Sequence, residues 1–261
     1  MSSTLPLILL PPSEGKAPGG CGAPWSPGTM SVDHDDRRAK VLASLRSAMR
    51  GNAAARGKLL GVKGEALAAA TIADRTAAAS PTMPAIERYD GVLYGALDAA
   101  GLGRAERRRL EDSVLIVSGL WGLVAPADPL PDYKLKMGAS LGRLGKLSTW
   151  WRPAIDAALA DRSDVSRIWN LLPNEHDLAW SGAEHTTTIS VRFLEPGRGG
   201  ELVAVSHWNK FLKGALVRFL VERPDADVDA LAEWEHPSGF VLDPARTQRE
   251  GQRVRVDLVK R

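Results

Sequence analysis

The chain predicts a single α/β domain: a mixed central β-sheet flanked by helices, plus an inserted helix-hairpin-helix-like segment. Short apolar runs at Leu5–Leu10, Val114–Val117 and Ile168–Leu172 each end in proline or small-residue turns, as buried strands running into loops do. Helical stretches separate them in an order that fits neither eight βα repeats nor a regular Rossmann alternation. Thr186–Glu195 and Glu201–Ser206 alternate apolar with polar residues across Pro196-Gly197-Arg198-Gly199-Gly200, which reads as an antiparallel hairpin, so the sheet must be mixed.

Composition sets the outer bounds. A chain of 261 residues can bury one sizeable core, and no Ser/Gly-rich or charge-rich linker divides it, so residues 1–261 are read as one domain. Hydrophobic residues make up 44% and charged residues 25%, which excludes wholesale disorder. No apolar run approaches the roughly 18 residues of a membrane span, and no basic leader opens the chain, so a cytoplasmic location without a membrane partner is expected. Cys21 is the single cysteine, which rules out an internal disulfide framework and a multi-thiolate metal site. His34, His176, His185, His207 and His236 show no zinc-type spacing, so neither a metal nor a cofactor is expected. The net charge is only +3, but the basic residues cluster, and a local patch matters more to a polyanion than the total.

Taken in order, the first apolar run contains Pro6, stops at Pro11-Pro12 and leads to Ser13-Glu14-Gly15-Lys16. A strand ending in a small-residue turn with a lysine can cradle phosphate. It is no Walker A loop, because Ala17 replaces the hydroxyl residue and Pro18 opposes a helix there. Residues 33–80 are Ala/Arg-rich and helical, with Asp33, Asp35 and Asp36 early and Arg46 and Arg50 late, as the helix dipole favours. Within them, Lys58-Leu59-Leu60-Gly61-Val62-Lys63-Gly64 sets a G-x-x-G turn before a new helix. Glycines there would let backbone approach a nucleic-acid phosphate, with exposed N–H groups at the second helix's start and Lys58 and Lys63 adding charge. The competing reading is a plain helix connection.

Tyr89–Ala99 reads as a helix packing Leu93 and Leu97, with Tyr94 toward a cleft, and the arginines of Arg104–Arg109 read as a solvated helical face. Pro126, Pro129 and Pro131 make Ala125–Asp132 a stiff loop laid over the surface. Gly138–Lys146 is glycine-rich, Trp150–Leu159 reads as a helix with Pro153 in its first turn, and Glu175-His176 reads as a polar strand-end turn. Trp208–Val221 is a helix with Phe211, Leu212, Ala215, Leu216, Phe219 and Leu220 on one face; Lys210, Lys213 and Arg218 share the other with Val217. Gly239–Leu242 and Val254–Val259 supply late strands.

The central stretch, Val114–Gly138, joins Ser118-Gly119-Leu120-Trp121-Gly122 to Tyr133-Lys134-Leu135-Lys136-Met137-Gly138. This pair of segments resembles the signature of the YaaA family of peroxide-stress proteins. Leu5–Lys16, Tyr89–Leu97, Trp169–His176, Ser206–Phe219 and Gly239–Asp243 resemble further blocks of that family, in the same order along nearly the whole chain. The resemblance implies a cytoplasmic DNA-binding protein that limits oxidative damage, and a ligand-facing role for Lys210, Lys213 and Arg218. On this reading Ser13, Lys16, Ser118, Tyr133, Lys134, Lys210, Lys213 and Arg218 line one electropositive cleft, and Lys58, Gly61, Lys63 and Gly64 form a phosphate-binding turn. The expected partner is DNA without strong sequence preference. The rival is an enzyme acting on a nucleotide or nucleobase in the same cleft, where a nucleotide or phosphate would be held. A third reading, a structural partner protein using exposed tryptophans, competes with burial of those rings in the core.

Overall fold

The computed structural model describes residues 6–162, 164–205, 209–223, 225–234 and 236–261. The chain opens with β1 (Leu7–Leu10) and the two-residue β2 (Gly15–Lys16), followed by α1 (Asp35–Ala48), α2 (Ala53–Leu60) and α3 (Gly64–Thr76). Next come β3 (Met83–Pro84), α4 (Ala85–Arg88), β4 (Tyr89–Asp90), α5 (Val92–Leu97) and α6 (Arg104–Ser113). The middle of the chain holds β5 (Val114–Ser118), β6 (Gly122–Val124), β7 (Pro129–Leu130), α7 (Leu147–Ala160), β8 (Arg167–Asn170) and α8 (Asn174–Asp177). It closes with β9 (Thr187–Pro196), β10 (Leu202–Ala204), α9 (Asn209–Glu222), β11 (Phe240–Leu242), β12 (Gln248–Glu250) and β13 (Arg253–Lys260).

The expected mixed sheet is present. Its main path runs β11-β13-β9-β8-β1-β5-β6, with β10 added to β9 and β12 to β13. β1 lies parallel to β5 on one side and to β8 on the other, and β8, β9 and β13 continue the parallel run. Antiparallel strands β6 and β11 close the two ends of that path. All of Leu7–Leu10 and Val114–Ser118 is buried, as strands covered on both faces should be. In chain order the parallel strands lie 2-1-3-4-5 across the sheet: the chain leaves β1 toward β5 and later returns to β8 on the opposite side. Outside the carboxyl ends of β1 and β8, successive connections therefore part, and open α/β sheets bind ligands at such a point.

Several local expectations need correction. Ala125–Asp132 does not lie over the surface. Most of it is buried, because Asp128 satisfies backbone and side chain around it: Oδ1 accepts from Ser31 N at 2.8 Å and Ser31 Oγ at 2.7 Å, and Oδ2 accepts from Ala125 N at 2.8 Å. Pro129-Leu130 even pairs with Met83-Pro84 as a short antiparallel ladder. Pro153 sits inside α7 rather than in its first turn, since the helix begins at Leu147. The opposite face of α9 is not an open basic surface: Val217 is fully buried and Lys213 partly so, because α5 packs along this helix. Trp208, placed at the start of that helix, lies outside the described residues. Trp121, Trp151 and Trp169 are fully buried.

Two arginines, Arg38 of the Ala/Arg-rich segment and Arg88 beyond it, turn out to be structural. Arg38 of α1 is fully buried, donating to Trp121 O and Leu123 O at 3.0 Å each and to Asp35 at 2.9 Å. Arg88 donates to Leu130 O at 3.1 Å, Gly19 O at 2.7 Å and Ala17 O, binding the loop after β2 to β7.

One glycine fixes the relation of the two signature segments. A Cβ on Gly119 would stand 2.8 Å from the Lys136 carbonyl carbon, 2.9 Å from Met137 N and 3.0 Å from Leu135 O, all backbone. Main chain cannot yield as a flexible side chain does, so Gly119→Ala must push the two segments apart. Thermal or urea unfolding should show a loss of about 2 kcal/mol or more for Gly119→Ala. Gly95→Ala, on an exposed helical position with nothing near its Cβ, should be neutral or stabilising by up to about 1 kcal/mol. Equal effects at the two sites would remove Gly119's special role.

Candidate functional site

β1, β5 and β8 end side by side, and their following turns build the site. After β1, residues Pro12–Lys16 fold back so that β2 pairs with β4, placing Lys16 opposite Tyr89. Ser13 Oγ donates to Asp90 O at 2.5 Å, and Lys16 Nζ donates to Ser13 O at 3.0 Å. After β5, the segment crossing Gly119 delivers Tyr133–Lys136. After β8, the short α8 delivers Glu175 and His176. Together Pro12, Ser13, Glu14, Lys16, Tyr133–Lys136, Glu175 and His176 line a cavity of about 40 Å³. It lies at the parting between β1 and β8.

The floor is a chain of hydroxyls. Tyr133 Oη lies 2.7 Å from Tyr89 Oη and 2.8 Å from Ser118 Oγ, and Trp121 N donates to Ser118 Oγ at 3.2 Å. Burial pushes the Tyr133 phenol up to about 12, so it stays protonated at neutral pH. Lys16 Nζ rests 4.3 Å from the centre of the Tyr133 ring and 5.6 Å from that of Tyr89, a cation–π arrangement. Burial pulls the Lys16 ammonium down to about 8, against the opposing pull of Asp132.

The rim carries charge. Glu14 bridges Lys134 Nζ at 3.3 Å and Lys136 Nζ at 3.4 Å. Burial alone would raise the Glu14 carboxyl, but Lys136 and Lys134 together hold it below its usual value. His176 is buried, its Nδ1 2.9 Å from Val117 O and its Nε2 3.5 Å from Glu175. A carbonyl can only accept, so Nδ1 carries the proton and Nε2 the lone pair in the neutral ring. Burial lowers its pKa and favours that neutral form, though Val117 and Glu175 oppose the shift.

Behind the rim lies Asp74 of α3, a residue the sequence reading passed over. It is buried, its Oδ1 accepts from Lys134 N at 2.7 Å, and its Oδ2 has no hydrogen-bond partner among the described residues. Burial pushes its carboxyl up to about 7, overcoming the lowering by the Lys134 N–H and the Lys16 charge. The signal was present: Leu67, Ala70, Thr71 and Asp74 form the buried stripe of α3, and a carboxylate in such a stripe needs a partner or a function. Lys136, Glu14 and Tyr89 were likewise missed, although all three lie within the family-like segments.

The expected residues divide in the fold. Ser13, Lys16, Tyr133 and Lys134 line the cavity; Ser118 lies beneath it and positions Tyr133. Lys213 donates to Leu171 O at 2.9 Å, just past β8, and burial pulls its ammonium down to about 8, Asp177 opposing. Arg218 is spent on Asp98, Leu97 O, Gly101 O and Glu222, tying α9 to the end of α5. Lys210 is exposed. Neither Lys213 nor Arg218 lines the cavity.

The α2–α3 turn approaches the same rim. Gly61 caps α2 in the left-handed region at φ 69°, Gly64 has φ 58°, and Lys63 begins α3 with no side-chain cap. A Cβ on Gly61 would lie 3.6 Å from Lys136 Nζ. Lys58, Lys63 and both glycines are exposed.

Residues 7–246 match the family model described as peroxide stress protein YaaA. The chain belongs to the YaaA peroxide-stress family. A UPF0246 protein of Streptomyces coelicolor is 36% identical over 237 residues, covering 87% of this chain and 89% of its own. A second, from Corynebacterium glutamicum, is 32% identical over 256 residues, covering 94% and 97%. Among the described residues, no helix is long and apolar enough to cross a membrane.

Asp74 makes a pH signature. Its folded pKa, about 7, lies above the unfolded value of 3.8, so its contribution to stability is fully present below the unfolded value and lost as pH rises through about 7. Relative to Asp74→Asn, whose amide oxygen can still accept from Lys134 N, the parent should therefore lose stability between about pH 4 and pH 7, read from denaturation midpoints. Identical pH slopes for the two proteins would refute the shifted carboxyl.

Proposed function

We propose that this YaaA-family chain is a cytoplasmic DNA-binding protein that limits oxidative damage by holding the phosphate backbone. Its basic rim and its α2–α3 turn act as one surface. The observation that carries this reading is the proximity of Lys136 to Gly61, where an added Cβ would lie 3.6 Å from Lys136 Nζ, so that the hairpin turn and the lysine rim are neighbours. A phosphate at the turn would meet backbone N–H groups at the start of α3, and the next phosphates would meet Lys136 and Lys134. Lys58 and Lys63 extend the charge beyond the turn. Glycine in the left-handed region at both ends of the turn leaves the backbone uncovered, so the phosphate can come close.

The cavity's size favours this over capture of a whole nucleotide. At about 40 Å³ it is far below the roughly 300 Å³ at which small-molecule sites begin. The rim instead faces outward, with Glu14 occupying the lysines as an anion would. Glu14 must swing aside when a phosphate arrives, and its exposed carboxylate can do so.

Three variants test the surface by fluorescence anisotropy on duplex DNA over a salt series. Contacts to phosphate give a steep fall of log affinity with log salt and little dependence on sequence; Lys134→Ala with Lys136→Ala should lessen the slope by about one unit per lysine lost. Glu14→Gln removes the competing anion and should tighten binding. Gly61→Val with Gly64→Val, checked for folding by circular dichroism, should weaken binding to every DNA form. Salt-independent binding, or unchanged affinity in all three, would refute the surface.

A further inference from the structure

The rim explains Lys134 and Lys136 but leaves Lys16 without a task. Its two neighbours are paired with Glu14, whereas among the described residues Lys16 forms no ion pair with a carboxylate; its Nζ donates to Ser13 O at 3.0 Å and Glu14 O at 3.5 Å, over the Tyr133 ring. Two backbone carbonyls and an aromatic face orient an amine without requiring that it stay charged. The amine lines the cavity together with His176, whose Nε2 stands 3.5 Å from Glu175. A cavity of about 40 Å³ admits a few waters, hence roughly a carbonyl carbon, its oxygen and one more atom, but no nucleobase.

We propose that Lys16 is the nucleophile of a carbonyl-capturing site, forming a Schiff base with an aldehyde, and that the aldehyde is the ring-opened sugar of an abasic site in DNA. The choice of DNA as the source rests on the binding surface proposed above: lysines that grip phosphate stand at the mouth of the cavity, and an abasic sugar presents an aldehyde with no base to exclude. The chemistry needs no oxidant or reductant. The neutral Lys16 amine adds to the aldehyde carbon, forming a C–N bond while the carbonyl π pair moves to oxygen. A proton from nitrogen and one from solvent convert that oxygen into departing water, leaving a protonated imine. His176 Nε2 can carry the nitrogen's proton. The reactive amine must be unprotonated, and the burial that draws Lys16 down to about 8 supplies that form near neutral pH, with Asp132, Asp74 and Glu14 opposing and Lys134 assisting the shift. With DNA bound, the other lysines of the rim exchange Glu14 for phosphate oxygens and are occupied by that contact.

The test is reductive trapping of the full chain on a duplex carrying one abasic site, with cyanoborohydride, the adduct located by peptide mass spectrometry. Glycolaldehyde serves as a free aldehyde in a parallel arm, and anisotropy measures the bound duplex in each. Trapping of the abasic duplex on Lys16 is the result expected, and Lys16→Arg should lower the trapped yield per bound duplex roughly fiftyfold or more, because a guanidinium stays protonated. Should that variant fold poorly by circular dichroism, the mapped position of the adduct on the parent protein decides alone. Duplex bound but not trapped, or trapped on Lys134 or Lys136 instead, overturns the proposal and leaves the DNA surface standing. No duplex bound, with Lys16 labelled first by glycolaldehyde, overturns the DNA reading and upholds the carbonyl chemistry. Failure of both arms overturns both.

Discussion

Backbone crossing backbone at Gly119 is the constraint on which the site depends. With no side chain at that position, the Leu135–Met137 main chain passes close against the turn after β5. That passage carries Tyr133 down to the Ser118 and Tyr89 hydroxyls, and it leaves Lys134 and Lys136 at the rim, one on each side of Glu14. Trp151 reinforces the turn by donating to Gly119 O at 2.9 Å. Neither signature segment has a defined position without the other.

The surrounding protein spends its buried polar groups on holding this arrangement. Arg38 satisfies the carbonyls of Trp121 and Leu123, on either side of Gly122, Arg88 joins the loop after β2 to β7, and Asp128 closes the proline-rich loop. A buried guanidinium bonded to several carbonyls costs little while the carbonyls would otherwise be orphaned, and it fixes their geometry. The result is a stiff frame around groups whose protonation is shifted: Lys16 downward, Asp74 and Tyr133 upward, all by burial. Such clustering in a strand-end crevice is what a site needs and what a purely structural core avoids. The α2–α3 turn lies beside the same rim, so two segments that the sequence presents far apart meet on one side of the molecule.

The sequence by itself determined the α/β class, the strands β1, β5 and β8, the β9–β10 hairpin and most helix positions, because apolar runs, alternation and proline or glycine stops are local signals. Ser13, Lys16, Tyr133 and Lys134 were legible as neighbours in one cavity because they follow strand ends or sit in recognisable segments. Tertiary structure alone decided which cations face outward. Three basic residues on α9 look alike by helical spacing, yet Lys213 bonds a backbone carbonyl beside β8, Arg218 clamps the end of α5, and only Lys210 stays exposed. The same holds for Arg38, which reads as one more charge in an Ala/Arg-rich helix and is wholly buried. Periodicity marks a face but not what packs on it. Asp74 shows the limit most clearly: its helix announces a carboxylate in a buried stripe, but its proximity to Lys134 and Lys16 exists only because distant turns converge where β1, β5 and β8 end.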